Sequence, residues 1–384
     1  MLICVFFHPS SFILAADWPQ LQCNPQRTGY TPEGVAPPLA VAWSHAFAPD
    51  ELVSDHVQAV TLQGSVFVGT KMGNLYAFDE GTGATNWVFR TGSMIWHAAG
   101  AGDGRVFFGA MNGGVYAVDA KTGEQAWHFE TASGFSTAPL LAQGKVYMAN
   151  RRGTMYCLDQ RTGEKDWEFN GGAPVFQTAA YDNGKVFYGD EDMYMYCLDA
   201  ATGKMLWRSE QLYGQSLGIY HPVVYKGFVI TRTLPVYCDR LETPPFAWDS
   251  PIREDKQRGT TKLCATEQRY REFVEDTGSP PPEFFEKQAL FVNYHRQHPQ
   301  GRDIYILRAD TGEETFIPPL FRIFSLCGPV APPAVDRDGF LIVPLLMGNY
   351  RWGRYDIEKN LIVEARVPPI CGNEDESINP SCGG

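Results

Sequence analysis

Four copies of one pattern, each displaced by forty residues, fill the first half of the chain. Gly64, Gly104, Gly144 and Gly184 keep step, as do Asp79, Asp119, Asp159 and Asp199, and Trp87, Trp127, Trp167 and Trp207. Within a period the apolar runs are too short for helices. In the second copy, Val106-Phe107-Phe108 follows the turn pair Asp103-Gly104, a strong hairpin signal. Val115-Tyr116-Ala117-Val118 resumes after Gly113-Gly114, and Trp127-His128-Phe129 follows a second turn over Asp119-Ala120-Lys121-Thr122-Gly123. With an opening run at Ala98 to Ala101, each unit holds four strands. A fixed period near 40 with four short strands predicts an all-β fold, a β-propeller of four-stranded blades.

A lone blade cannot cover both of its faces, so the units must stack. The tryptophan that recurs once per period, Trp87, Trp127, Trp167 and Trp207, is read as part of that stacking, because a ligand would not need one copy per blade. Asp79, Asp119, Asp159 and Asp199 are read as turn residues that bond their own downstream backbone.

The wording Ala77-x-Asp79-x-x-Thr82-Gly83-x-x-x-Trp87 resembles the tryptophan-docking repeat of propellers of the pyrroloquinoline-quinone (PQQ) type. It recurs to Trp127, and to Trp167 and Trp207 with Cys157 or Cys197 replacing the alanine. The stretch Asp17-Trp18-Pro19-Gln20, then Asn24-Pro25-Gln26-Arg27-Thr28-Gly29-Tyr30-Thr31, is similar to the lead-in of that superfamily. The resemblance covers residues 17 to about 240 and weakens afterwards.

After Trp207 the beat falters. A fifth unit opens at Gly227-Phe228-Val229-Ile230, but its turn wording returns only at Ala309-Asp310-Thr311-Gly312, with Arg308 and Phe316 in the places of Asp and Trp. Between them lies an insertion over 240–302, with helix-like pieces at 266–275 and 282–297, the second opening on prolines suited to a first turn. A degraded sixth unit follows. Blades are expected near 55–90, 95–130, 135–170, 175–210, 218–318 (interrupted) and 329–366, within a propeller over 17–370 and ahead of a tail at 371–384. Five to six blades are recognisable. Trp43, in Leu39-Ala40-Val41-Ala42-Trp43-Ser44, reads as a fourth strand without its preceding three. Either it completes the sixth blade, or the chain is a truncated seven- or eight-bladed ring. The abrupt ending favours truncation.

A net charge of −12 without a basic cluster argues against nucleic acid and anionic lipid. Residues 1–16 are apolar from Leu2 and close on Leu14-Ala15-Ala16, which reads as a signal peptide lacking the usual positive start. It is too short to span a bilayer, and no other run approaches a transmembrane segment. Export to the periplasm or beyond is expected. Cys23 lacks the small preceding residue that lipid attachment favours. Cys157 and Cys197 are expected to be small buried hydrophobes too far apart to bond. Cys23, Cys238, Cys264, Cys327, Cys371 and Cys382 are disulfide candidates without a readable pairing. No Cys-x-x-Cys is present, and no metal site is expected.

If the innermost strand of each blade starts at an upper face, the loops between blades and those joining second to third strands share that face. Registering the repeats there collects His56, Trp96, His97, Phe176, Gln177, Tyr220 and His221, with Lys71, Asn112, Arg151, Arg152, Glu191, Asp192 and Arg232 from the adjoining loops. His56, Trp96, His97, Gln177, Tyr220, His221 and Arg232 are the candidate ligand-binding set. Aromatics, imidazoles and arginines at one mouth suit a small planar or anionic ligand, or a partner protein. The insertion is expected to leave from this face as a lid. Asp190-Glu191-Asp192 could attract calcium, although a solvated acidic loop is the plainer reading.

The resemblance implies two functions. One is a non-catalytic binding or scaffold protein of the cell envelope, similar to the scaffold propeller of outer-membrane barrel assembly, with no cofactor and an envelope protein as partner. The alternative is a quinoprotein dehydrogenase of alcohols or sugars, or a fragment of one. It would carry PQQ with calcium. The adjacent cysteine pair common in that family is missing, and neither its Asp base nor its calcium carboxylates can be placed.

Overall fold

The structure, a computed structural model, describes residues 2–7, 17–33, 40–218, 220–234, 288–289, 292–293, 295–297, 299, 302–319, 332–347 and 350–366. Of 2–7, 344–347, 350–352 and 365–366 it describes the backbone alone. Each forty-residue period folds into a four-stranded antiparallel meander. The first runs Val60–Leu62, Ser65–Gly69, Asn74–Asp79 and Thr85–Arg90. The second runs Gly100–Gly102, Arg105–Gly109, Gly114–Asp119 and Gln125–Glu130, and the third Leu140–Ala142, Lys145–Ala149, Thr154–Asp159 and Lys165–Asn170. The fourth runs Ala180–Asp182, Lys185–Gly189, Met195–Asp199 and Met205–Arg208.

Turn chemistry sets these meanders. The first hairpin turns on a residue pair with positive φ at both positions, Gln63 (49°) and Gly64 (80°), and Asp103 (49°) and Gly104 (72°) do the same. Such turns match the twist of the flanking strands. At the second turn, Asp79 Oδ1 accepts from the backbone N–H and the hydroxyl of Thr82 at 2.8 and 2.7 Å. Asp119, Asp159 and Asp199 accept from Thr122, Thr162 and Thr202 in the same way. The opening strand of the second unit begins at Gly100, not at Ala98. The Ala98 N–H is taken by His97 Nδ1, and its methyl packs on Leu21, so Ala98 does not join the ladder.

The sheets stack through one repeated contact. The Trp43, Trp87, Trp127, Trp167 and Trp207 indole N–H groups donate to the carbonyls of Glu80, Ala120, Gln160, Ala200 and Ala309, each in the next sheet, at 2.6–3.1 Å. Each ring lies flat on the turn glycine of that sheet. A Cβ on Gly83, Gly123, Gly163, Gly203 or Gly312 would fall 2.5–2.6 Å from ring carbons, and all five have positive φ. The invariant Thr-Gly before the tryptophan is therefore the landing site of the preceding sheet. The apolar core accordingly lies in layers between sheets, for example Phe107, Val115, Trp127, Phe135, Val146 and Leu158 between the second and third. Cys157 and Cys197 are buried in these layers, where burial pushes both thiols up to about 12. With Cys23 they are free.

The fifth sheet has three strands, Val223–Tyr225, Phe228–Arg232 and Ile304–Arg308, and its fourth is reduced to the bridge Leu307–Glu314. Thr311-Gly312 still receives Trp207, while Phe316 packs on Phe228 with ring centroids 5.6 Å apart. The sixth sheet is complete in itself: Ala334–Val335, Leu341–Met347, Tyr350–Asp356 and Leu361–Arg366. Trp43 therefore does not complete it. Its strand, Ala40–Ala46, pairs with Leu2–Phe7 in a separate two-stranded sheet against the first unit.

The insertion leaves between the second and third strands of the fifth sheet. Its helix near 266–275 lies outside the described residues, as do Cys238, Cys264, Cys327, Cys371, Cys382 and the tail 371–384. Residues 288–289, 292–293 and 295–297 are helical. Gln288 bonds both backbone groups of Ile362, on the outermost strand of the sixth sheet. This contact lies at the outer edge of the sixth sheet, and most of 240–302, from which a lid was expected, lies outside the described residues. Among the described residues no helix is long and apolar enough to cross a membrane.

Trp127→Ala should cost about 3–5 kcal/mol, read as a shift of the urea midpoint. Gly163→Ala, which leaves the tryptophan in place but drives a methyl into it, should destabilise as well. A neutral Gly163→Ala would show that the ring does not depend on that close approach.

Candidate functional site

Stacked sheets leave their innermost strands with an unpaired edge facing the axis, and unpaired edge groups must find partners. The lead-in segment supplies them. The carbonyls of Trp18 and Pro19 accept from Thr61 and Ala101 at 2.9 and 2.6 Å, and Gln20 Oε1 accepts from Leu141 at 3.1 Å. The carbonyls of Pro25, Gln26 and Thr28 then accept from Tyr181, Val224 and Val335 at 2.8–2.9 Å. One short segment thus bonds the innermost strands of the six stacked sheets in turn. Two of its acceptors are prolines, which bring a carbonyl without an N–H needing a partner of its own. Gln22, Cys23 and Arg27 turn it through the axis with φ of 56°, 71° and 61°.

Arg27 sits at the centre of this thread with no exposed surface. Its Nε–H donates to Ala179 O at 3.1 Å, Nη1 to Leu21 O and Gln20 Oε1 at 2.7 and 3.4 Å, and Nη2 to Pro139 O at 3.1 Å. All four acceptors are neutral. Burial draws its pKa down to about 9, so it stays charged at pH 7.

The upper face forms as the register implied. The backbone N–H groups of Lys71, Met111, Arg151 and Glu191, in loops joining second to third strands, donate to Leu52, Met94, Gly134 and Pro174, in loops that enter the sheets. The candidate residues on this face divide into groups. The His56 ring lies 5.8 Å from those of both Trp96 and His97, and Lys71 Nζ lies 5.4 Å from the Trp96 ring centre. On the far side, Arg232 lies 4.9 Å over Tyr220 and is ion-paired with buried Asp303. Its charge is thereby matched within the fold. Gln177 is buried as a strut, donating to Leu217 O and Thr231 Oγ1 at 3.2 and 3.1 Å. His221 Nε2 is buried and has no hydrogen-bond partner among the described residues.

Both axial imidazoles are held neutral. Burial brings His97 down to about 3, aided by the charges of His56 and Arg27. Burial, then Arg27 and His97, holds His221 well below the ordinary histidine range. Both histidine residues are only partly buried. Arg27 belongs to the lead-in stretch, and nothing in its local sequence marks where it sits. Only the bonds of that segment to six separate strands bring it beside the two histidines.

Within the acidic run Asp192 is exposed, while Asp190 and Glu191 are engaged by neighbouring groups. Asp190 is buried, with its carboxylate taken by Tyr194 N–H and Tyr196 O–H at 3.1 and 2.8 Å. Glu191 accepts from Ser216 at 3.0 Å, and burial raises both carboxyls above the usual range. Among the described residues no three His, Cys, Asp or Glu side chains group as metal ligands would.

Residues 71–180 match the family model described as outer membrane protein assembly factor BamB. No curated protein matches the chain. A solved europium-containing methanol dehydrogenase is similar at 13% identity and TM-score 0.59, over 91% of this chain and 78% of that one. A quinohemoprotein alcohol dehydrogenase, ADHIIG from Pseudomonas putida HK5, is similar at 15% identity and TM-score 0.50, over 89% and 55%. BamB from Moraxella catarrhalis aligns at 21% identity and TM-score 0.42, over 47% of this chain and 60% of that one. The chain thus spans about 60% of that BamB chain's length. The matched repeats and the dehydrogenase likeness show the PQQ-like β-propeller fold.

The two depressed histidines fix a sign for pH dependence. Their folded pKa values lie below the 6.5 of an unfolded histidine, so below about pH 6.5 the unfolded chain binds more protons. Stability should fall as pH is lowered from about 6.5 toward 4, by at most about 1.4 kcal/mol per pH unit for each ring. Urea unfolding across this range should show a shallower slope for the double variant His97→Gln, His221→Gln. Equal slopes would assign the acid sensitivity to other groups.

Proposed function

We propose that this PQQ-like β-propeller is a non-catalytic binding or scaffold protein of the cell envelope, engaging a partner protein through its upper face. The supporting observation is the division between axis and face. Residues 18–28 fill the axis with bonds to every innermost strand, so recognition falls to the loops around it. Those loops carry cations laid over half-buried rings, Lys71 on Trp96 and Arg151 on Phe176, with ring-centre distances of 5.4 and 4.9 Å. Tyr213, in the loop leaving the fourth sheet, is 51% exposed. Aromatic and arginine side chains already held in place lose little freedom on binding and are the usual anchors of protein interfaces. The match of residues 71–180 to the BamB model supports the same reading.

The described residues do not fit the calcium-bound quinone of the alternative reading. A hard cation needs several oxygen ligands rich in carboxylate. The fixed charge here at the axis is a guanidinium, which would repel it. The carboxylates of Asp190, Glu191 and Asp303 are already taken by Tyr194 and Tyr196, by Ser216 and by Arg232.

Crosslinking and capture from envelope fractions should recover a discrete envelope protein. The double variant Trp96→Ala, Phe176→Ala should weaken that capture at least about tenfold, the scale of losing one hot-spot residue, without loss of folding. The full chain incubated with PQQ and calcium should give no dye-linked oxidation of alcohols or sugars. Quinone absorbance together with dye reduction would overturn the proposal.

A further inference from the structure

The loops joining second to third strands hold one equivalent position in the first four sheets, each fixed by the same backbone bond to a loop that enters the sheets. The next residue along each loop, Met72, Asn112, Arg152 and Asp192, is exposed in every case. Packing does not dictate these side chains, yet around the face they pass from apolar to neutral to cationic to anionic. On the first sheet the Leu52 carbonyl accepts from Lys71 at 2.7 Å, and Leu52 and Met72 are 52% and 53% exposed. Towards the second, Ile95, beside Trp96, donates to Thr70 at 3.1 Å, and Met111 donates to the Met94 carbonyl at 3.0 Å. Met94, Trp96 and Met111 are partly exposed. The adjoining loops thus gather a leucine, three methionines and an indole on one stretch of surface. Apolar groups exposed together, and not singly, mark interaction sites, and methionine adapts to varied apolar partners. The third sheet continues the stretch with charge. Arg151 lies over Phe176, and neither Arg151 nor Arg152 has an ion-pair partner among the described residues. Lys71, by contrast, has Asp55 4.0 Å away.

We propose that the upper loops of the first three sheets bind a short segment of a partner protein, with its apolar residues over Leu52, Met72 and Trp96 and its carboxylates over Arg151 and Arg152. This rests on the reading that the upper face engages a protein, and it adds the chemistry and direction of the segment bound. A guanidinium fork matches a carboxylate with two parallel bonds, which a lysine does not. Asp192, exposed on the fourth sheet, repels carboxylates carried further round, so the acidic end stops at the third. Stacked sheets lie about 10 Å apart, so loops on the first and third are separated by about 20 Å. An extended segment of about six to eight residues covers that span at about 3.3 Å each.

The test selects a random peptide library, displayed on phage, on the immobilised full chain. Enriched sequences should carry a cluster of apolar residues next to a cluster of Asp or Glu. An enriched peptide should bind saturably in fluorescence anisotropy, with an affinity that falls as salt is added. Met72→Asp should weaken it at least about tenfold. The double variant Arg151→Glu, Arg152→Glu should enrich Lys and Arg in place of Asp and Glu, a reversal that a damaged fold could not produce. No enrichment, enrichment without acidic residues, or an unchanged preference in the double variant would overturn the proposal. So would binding to phosphatidylglycerol vesicles that Met72→Asp abolishes, which would assign the stretch to a lipid surface. Envelope capture that persists while selection shows no acidic preference would sink this inference alone, and capture lost together with selection would sink both.

Discussion

The contact on which the wheel depends is a tryptophan lying on a glycine. An indole on the last strand of one sheet spends its N–H on a carbonyl of the next and rests its ring where any side chain would collide. This one contact fixes both the spacing and the rotation between neighbours, since moving the ring breaks the hydrogen bond and sliding the turn opens the ring to water. It recurs from Trp43 to Trp207 with little change in geometry. The insertion in the fifth unit lengthens the chain between Trp207 and Gly312 without disturbing it. A docking contact needs only its two ends in place.

Radial stacking creates the second problem of the fold, a ring of strand edges around an axis. The lead-in segment resolves it with acceptors, drawn from carbonyls and one glutamine, that meet six innermost strands in order. The same threading carries a guanidinium into the centre of the protein. Burial depresses the pKa values of His97 and His221, and the Arg27 charge adds to it. The electrostatics of the axis therefore follow from how the edges are satisfied.

The upper face was readable to a useful degree. Register alone placed the loops of Lys71, Arg151 and Glu191 beside those that enter the sheets, because a meander with fixed strand number alternates its turns between two ends. Side-chain pairings on that face were not readable. The ion pair of Arg232 with Asp303 joins residues seventy-one apart, and no local pattern links them. Asp190 looked like a solvated charge, yet Tyr196 folds over it. The reading in which Trp43 completes the sixth blade failed because that sheet has four strands of its own.

What the sequence alone determined is whatever repeats: the strand meander, the positive-φ turn pairs, the Asp-Thr caps and the tryptophan with its glycine. Each is a local or nearest-neighbour relation, so forty-residue periodicity exposes it. The tertiary structure decided everything that happens once. Arg27, His97 and His221 share no period and no motif, and they meet because a ring brings the starts of separate strands to one axis. A convergence of that kind is a property of closure in space, and a linear pattern carries no trace of it.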